Sequence, residues 1–199
     1  MINNRGGWRW IICLVAFGIA CSSTSASPLV EAARSQIGVT VIYDPAYVSL
    51  TYPGGDVPED RGVCTDVVIR AFREAFGWDL QHELHQDIKS HFFAYPQRWG
   101  LKRPDKNIDH RRVPNLQTFF DRKGYALPRG TSLKDLLPGD LVTCTVPPHL
   151  PHIMIISDRK NAQGLPLVIH NIGNGTREED RLDVYPITGL YRITLTNRE

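Results

Sequence analysis

Apolar residues change their spacing part-way along this chain. Up to about residue 125 they recur every three to four positions, the period of a helix with one buried face. Beyond about residue 140 they alternate with polar residues or form short β-branched runs, the period of a strand. The clearest helix is Cys64–Phe76, where Val68, Ile69, Phe72, Ala75 and Phe76 repeat at helical spacing and Gly77 is a natural stop. Leu29–Ile37 reads as a shorter amphipathic helix, opened by Ser27-Pro28 as N-cap and N1 and closed by Gly38. Asp79 to about Phe93 reads as a further helix, and so does Val113–Lys123, which carries Leu116, Phe119 and Phe120 and ends at Gly124. Val39–Tyr43 is a short β-branched run, Asp44–Arg61 is rich in turn residues, and residues 94–112 read as a strongly basic loop. Asp140–Val146, His152–Ser157, Leu165–Asn171, Leu182–Tyr185 and Leu190–Thr194 read as strands. Helices followed by a run of strands predict an α+β fold, N-terminal helices packed on a C-terminal antiparallel sheet.

The first residues fit neither pattern. Arg5 and Arg9 precede a nearly continuous apolar run, Trp10–Ala20, and small residues follow, Cys21-Ser22-Ser23-Thr24-Ser25-Ala26-Ser27. The run is too short to span a bilayer and suits a signal peptide, residues 1–27. Cleavage near Ala26 releases a soluble protein. Cleavage before Cys21 leaves a lipid-anchored cysteine, but Gly18-Ile19-Ala20-Cys21 lacks the large aliphatic residue that opens a lipoprotein signal. Soluble export, to the periplasm, is the expectation, with the anchor as alternative. Residues 28–199 then form a single domain without a transmembrane segment.

Export also changes the charge. The chain has 23 basic and 21 acidic side chains, and two of the basic ones, Arg5 and Arg9, belong to the leader. The remainder is electrically balanced, which disfavours a nucleic-acid partner.

Candidate chemistry centres on Cys64, in Gly62-Val63-Cys64-Thr65-Asp66, where a Pro/Gly-rich loop turns into a helix. His152 begins one strand-like run and His170 ends the next. A thiol at a helix N-terminus is shifted toward thiolate by the helix dipole and by a neighbouring imidazolium. Cys64 is therefore the candidate nucleophile, His152 the base, and His170 the residue that fixes the tautomer of His152. The Cys64 N–H is an oxyanion donor in this reading. Alternation places His152 with Met154 and Ile156, and His170 with Val168, on the sheet face expected beneath a helix. His149 competes with His152, and Asn171 with His170. A Cys64–Cys144 disulfide is the plainest alternative in an exported chain. Against it, alternation puts Cys144 on the packed side of its strand with Val142 and Val146.

The ordered pieces Gly62-Val63-Cys64-Thr65-Asp66-Val67-Val68, Leu137-Pro138-Gly139-Asp140-Leu141-Val142, Pro151-His152-Ile153-Met154-Ile155 and Val168-Ile169-His170 resemble the NlpC-type papain-fold peptidases. The stretch Asn107-Ile108-Asp109-His110-Arg111-Arg112-Val113-Pro114-Asn115-Leu116 resembles an exported bacterial family, the domain of unknown function DUF1287. The first resemblance implies a papain-like fold and a Cys–His–His set cutting an amide bond in peptidoglycan or a related cell-envelope peptide, without a cofactor. Two other functions share such a scaffold: a non-catalytic envelope-binding module, and a thiol acyltransferase. The usual Asp-Cys-Ser-Gly is here Val63-Cys64-Thr65-Asp66, and the upstream tyrosine of the pattern has three candidates, Tyr43, Tyr47 and Tyr52.

Peptide stems carry carboxylates, and arginine forks bind carboxylates in pairs of hydrogen bonds. Arg61, His110, Arg111 and Arg112, with Asp66, are the candidate substrate contacts; a solvated loop paired with Asp105, Asp109 or Asp121 is the plainer account. His82-Glu83-Leu84-His85 has the wrong spacing for a zinc helix, and no metal is expected.

Overall fold

A computed structural model describes residue 1 and residues 27–195. The export segment, with its cleavage and anchor alternatives, lies outside the described residues. Four helices, α1 (Pro28–Arg34), α2 (Cys64–Phe76), α3 (Leu80–Ser90) and α4 (Val113–Arg122), precede five strands. The strands β3 (Leu141–Val146), β4 (Leu150–Lys160), β5 (Pro166–Asn171), β6 (Thr176–Glu179) and β7 (Ile187–Tyr191) form one antiparallel sheet in the order β6-β5-β4-β3-β7. A two-residue parallel pair, β1 (Ile42–Tyr43) with β2 (Arg61–Gly62), stands apart from it. The architecture is α+β. Among the described residues no helix is long and apolar enough to cross a membrane.

The helices form where capping and apolar spacing agree. Gly77 takes the left-handed conformation (φ 63°) that closes α2, and its N–H bonds Arg73 O. Asp79 caps α3 by accepting from Gln81 N at 3.2 Å. The buried faces of α1, α2 and α4 then cover one side of the sheet. Leu29, Val67, Phe72, Leu116 and Phe119 meet Leu141, Ile153, Ile155 and Ile169 in the main core. The opposite side of the sheet, Val142, Cys144, Met154, Ile156 and Val168, carries a second, smaller core roofed by Leu136 and Leu182.

Several sequence expectations shift. The strand expected at Leu182–Tyr185 is a turn; its apolar residues serve as the lid of the second core, with Leu182 buried and Tyr185 packed on it. The last strand starts at Ile187 and ends at Tyr191, three residues ahead of the expected Leu190–Thr194. Strand β6, Thr-Arg-Glu-Glu, carries no apolar signal. The helix expected to run to Phe93 stops at Ser90 and passes into a 3₁₀ turn at Phe92–Ala94. Only Ile42–Tyr43 of the 39–43 run pairs as a strand. The 94–112 loop ends in a 3₁₀ turn, Asp109–Arg111, whose three residues are all buried.

The face assignment of the histidines also needs correction. Met154, Ile156 and Val168 belong to the second core, so their side of the sheet is the one away from the helices. Strand polarity explains how Cys64 still reaches the backbone next to His152. The Ile156 N–H bonds Asp140 O at 2.8 Å, on the β3 side. Alternation turns the N–H of Ile153 toward the β5 side. The registered pairs between β4 and β5 stop at Ile155↔Ile169. The strand edge is thus open beside Ile153, and the start of α2 fills that gap rather than lying over the sheet.

Candidate active site

The loop entering α2 is held on three sides. Asp66, one turn into the helix, accepts from Val63 N at 2.7 Å, closing the front of the helix where a backbone N–H would lack a partner. Asp66 in turn pairs with Arg111, whose Nε lies 3.0 Å from Oδ1 and whose second terminal nitrogen lies 3.0 Å from Oδ2. Arg111 also donates to Ala46 O at 2.8 Å and Asp44 O at 2.9 Å. Both partners are buried, with side chains 2% and 4% exposed. From the sheet, Asn171 Nδ2 donates to Gly62 O at 3.0 Å. A Cβ on Gly62 would meet the Asp66 side chain at 3.0 Å, which leaves little room for any larger residue.

Cys64 thereby sits as the first residue of α2, where its own N–H has no acceptor within the helix. Backbone N–H groups of Ile153 and Thr65 point at its sulfur. Cys64 is thus seated against the peptide that joins His152 to Ile153. Burial, and the negative charge of Asp66, push its thiol up to about 12, and the two N–H groups only partly oppose this. That direction runs against the expectation of a ready thiolate. Among the described residues no hydrogen bond joins its sulfur to His152.

The two histidines do form a pair. His152 Nε2 lies 2.8 Å from His170 Nδ1, with the rings edge to face. His170 Nε2 lies 3.2 Å from Glu179 Oε2, which also receives Arg181 Nε at 3.1 Å. Burial depresses His152 to about 3, with His170 adding to the effect. His170 is lowered as well, since burial outweighs the pull of Glu179. Both imidazoles are therefore neutral near pH 7.

A cavity of about 260 Å³ opens beside Cys64, lined by Tyr43, Trp99, Arg98, Arg112 and Pro151 among others. Arg112 stacks on Trp99, with its guanidinium carbon 4.1 Å from the ring centroid, and pairs with Asp109 at 3.2 Å. Of the three tyrosines, Tyr43 lines this cavity. Tyr47 instead bonds Asp105 and Asn107, and Tyr52 stacks with His82 and meets His85 edge to face.

The expected site residues divide accordingly. Cys64, His152 and His170 come together, and Arg112 borders the same cavity. Asp66 and Arg111 pair with each other to hold the loop, and Arg111 also lines the cavity. Arg61 pairs with Asp60 and Asp44 beside β2. His110 is buried, is depressed to about 3 by that burial, and does not line the cavity. Asn171 braces Gly62 rather than His152, and His149 lies exposed in the β3–β4 turn. Cys64 and Cys144 are both free. Arg98, Trp99 and Glu179 escaped the sequence reading, whereas Tyr43 was one of the three tyrosines it offered. The cluster Arg98-Trp99 lay inside the basic loop but outside the stretch weighed, and Glu179 carried no signal at all. Among the described residues no group of His, Cys, Asp or Glu is arranged to hold a metal ion.

Comparison with known proteins places this arrangement. The chain is 53% identical over 164 residues to the uncharacterized protein YijF of Escherichia coli (strain K12), covering 82% of this chain and 80% of the relative. The model of a domain of unknown function, DUF1287, matches residues 30–193, which include Cys64, both histidines and Glu179. On both counts the chain belongs to the DUF1287 family.

Proposed function

We propose that this protein is an exported thiol hydrolase of papain-like, NlpC-type fold that cleaves an amide bond in peptidoglycan or a related cell-envelope peptide. The observation that carries the reading is the His152–His170 hydrogen bond beside a cysteine at a helix start, at the wall of a cavity. Substrate binding brings the acyl carbon to the Cys64 sulfur. The thiol proton passes to the free ring nitrogen of His152, the S–C bond forms, and the carbonyl electron pair moves onto oxygen. The Cys64 N–H is the donor for that oxyanion. Collapse breaks the C–N bond, and the leaving amine takes the proton from His152. Water then attacks the thioester, with His152 again accepting the proton, and the thiol is restored. Arg112 and Arg98, at the cavity, suit a carboxylate on the substrate. Because burial raises the thiol, proton transfer accompanies attack instead of preceding it.

That same shift favours a second reading, a non-catalytic module that binds the envelope through this cavity. One experiment separates the two. The protein without residues 1–27 is incubated with purified cell wall and the soluble products are identified by mass spectrometry. New amine and carboxyl termini, absent with Cys64→Ala, support the hydrolase. Binding without any released fragment overturns it.

A further inference from the structure

Glu179 closes a chain of hydrogen bonds that begins at His152, next to the peptide that faces Cys64, and its chemistry sets the direction of each of them. A carboxylate oxygen only accepts, so the 3.2 Å contact requires His170 to carry its proton on Nε2. A neutral His170 protonated there presents a lone pair on Nδ1. The 2.8 Å contact then requires His152 to donate from Nε2. What remains on His152 is the Nδ1 lone pair, the form of the ring that can take a proton from a thiol. Were His170 instead protonated on Nδ1, it would donate to His152 Nε2, and His152 would carry its proton on Nδ1. The outermost strand thus decides which nitrogen of His152 is basic.

We propose that Glu179 is a positioning residue that fixes the tautomers of both histidines. The inference rests on His152 being the base of the proposed reaction, but the tautomers themselves are observable without any reaction.

Three features make the arrangement specific. First, β6 pairs His170 with Arg177 and Val168 with Glu179, which puts Glu179 on the His170 side of the sheet. Second, Arg181 Nε donates to the same Glu179 oxygen and its guanidinium also reaches the Tyr185 hydroxyl at 3.4 Å. Arg181 therefore offsets the carboxylate charge, so that Glu179 orients His170 without drawing a second proton onto it. Third, the charged and titratable neighbours of the pair are Glu179, Arg181 and Arg177 from the β6 side, Cys144 directly across from His152 on β3, and Cys64 from α2. Desolvation works in the same direction as Arg181, lowering both rings.

The test is nitrogen-15 NMR of the histidine rings in the protein lacking residues 1–27. In the wild type both His152 and His170 should carry hydrogen on Nε2 at pH 7. Glu179→Ala should release His170 to a mixture of tautomers and His152 with it, and Glu179→Asp should restore part of the wild-type signature. Should Glu179→Ala not fold, Arg181→Gln is the second variant; it should move the protonation midpoint of His170 upward. On cell wall, Glu179→Ala should lower kcat by at least about 10-fold with little change in KM, the pattern of a misdirected base. A wild-type Nδ1–H on either ring overturns the proposal, and so do tautomers indifferent to Glu179→Ala or a His170 midpoint indifferent to Arg181→Gln. Fixed tautomers in a protein that cleaves nothing would remove the hydrolase reading while leaving the role of Glu179 standing.

Discussion

Cys64 and Cys144 flank the same histidine and differ in almost everything else. Cys144 pairs directly across from His152 in the β3–β4 ladder, and its side chain packs in the second core with Val142, Met154 and Ile156. Cys64 meets the other side of that residue, through the Ile153 N–H, and borders a cavity. Exposure does not separate them, at 5% and 1%. Acidity ranks them the wrong way round for a nucleophile. Burial raises Cys144 to about 11, while burial and Asp66 raise Cys64 to about 12. The difference that matters is directional: only Cys64 has N–H groups aimed at its sulfur and space in front of it. A thiol with no partner but hydrocarbon is a packing atom, whatever its pKa.

The widest separation should appear in turnover. Cys64→Ala should reduce fragment release from cell wall by at least about 10³-fold, the scale of losing a nucleophile, with the fold retained by circular dichroism. Cys144→Ala should keep most activity; equal loss in both would show that the sheet, not the thiol, carries the effect. Next in size is the ion pair beneath Cys64. Asp66→Ala leaves Arg111 buried without its partner, and denaturant unfolding should register a loss of about 3–5 kcal/mol. Cys144→Ala, which merely leaves a small cavity, should cost about 1–2 kcal/mol in the same assay. A smaller contrast lies in thiol chemistry. With both thiols raised above 10, alkylation of the free protein by iodoacetamide should climb about tenfold per pH unit between 7 and 10, faster at Cys64 than at Cys144. A plateau at Cys64 below pH 9, read by peptide mass mapping, would mean that a thiolate exists at rest. Smallest of all, His149→Ala should change activity less than about twofold and stability by less than about 0.5 kcal/mol, as expected of an exposed turn residue.

What could be read from the sequence follows from where the information is local. Helix α2 announced itself because the apolar period and the Gly77 stop agree within fourteen residues. The order Cys64, His152, His170 was legible because each lies at the end of a strongly patterned segment. Period, however, reveals that a strand has two faces and not which one the helices cover. His152 and His170 were therefore assigned to the helical side, when their neighbours Met154, Ile156 and Val168 pack on the other. The error was hidden because Cys64 approaches through the strand edge, a property of where β5 stops pairing. Leu182–Tyr185 alternated like a strand because a lid over a core must also present apolar residues. Thr176–Glu179 did the reverse, forming a strand on backbone hydrogen bonds with hardly any apolar content. Arg111 read as a ligand arginine and does line the cavity, but nothing local reveals that Asp66, 45 positions earlier, also holds it.

Strand β6 has a further consequence, for how the molecule keeps apart from its own copies. It is the last strand on its side of the sheet, and only its first residue is covered, by the Thr176 N–H donating to Thr40 O at 2.8 Å; the edge beyond is a place where an extended segment could add. Arg177, Glu178 and Glu179 occupy three of its four positions. Arg34 of α1 is bound to Glu178, at 2.8 Å, and ties that short strand to the helical layer. At the turn before it, Gly175 presses on the backbone of Thr40, so closely that a Cβ would stand 2.6 Å from that carbonyl oxygen. A second molecule adding itself edge to edge would have to pair these charges and displace both anchors. The strand that carries Glu179 thus has a charged edge, and substitutions that neutralise it should be watched for precipitation as closely as for lost activity.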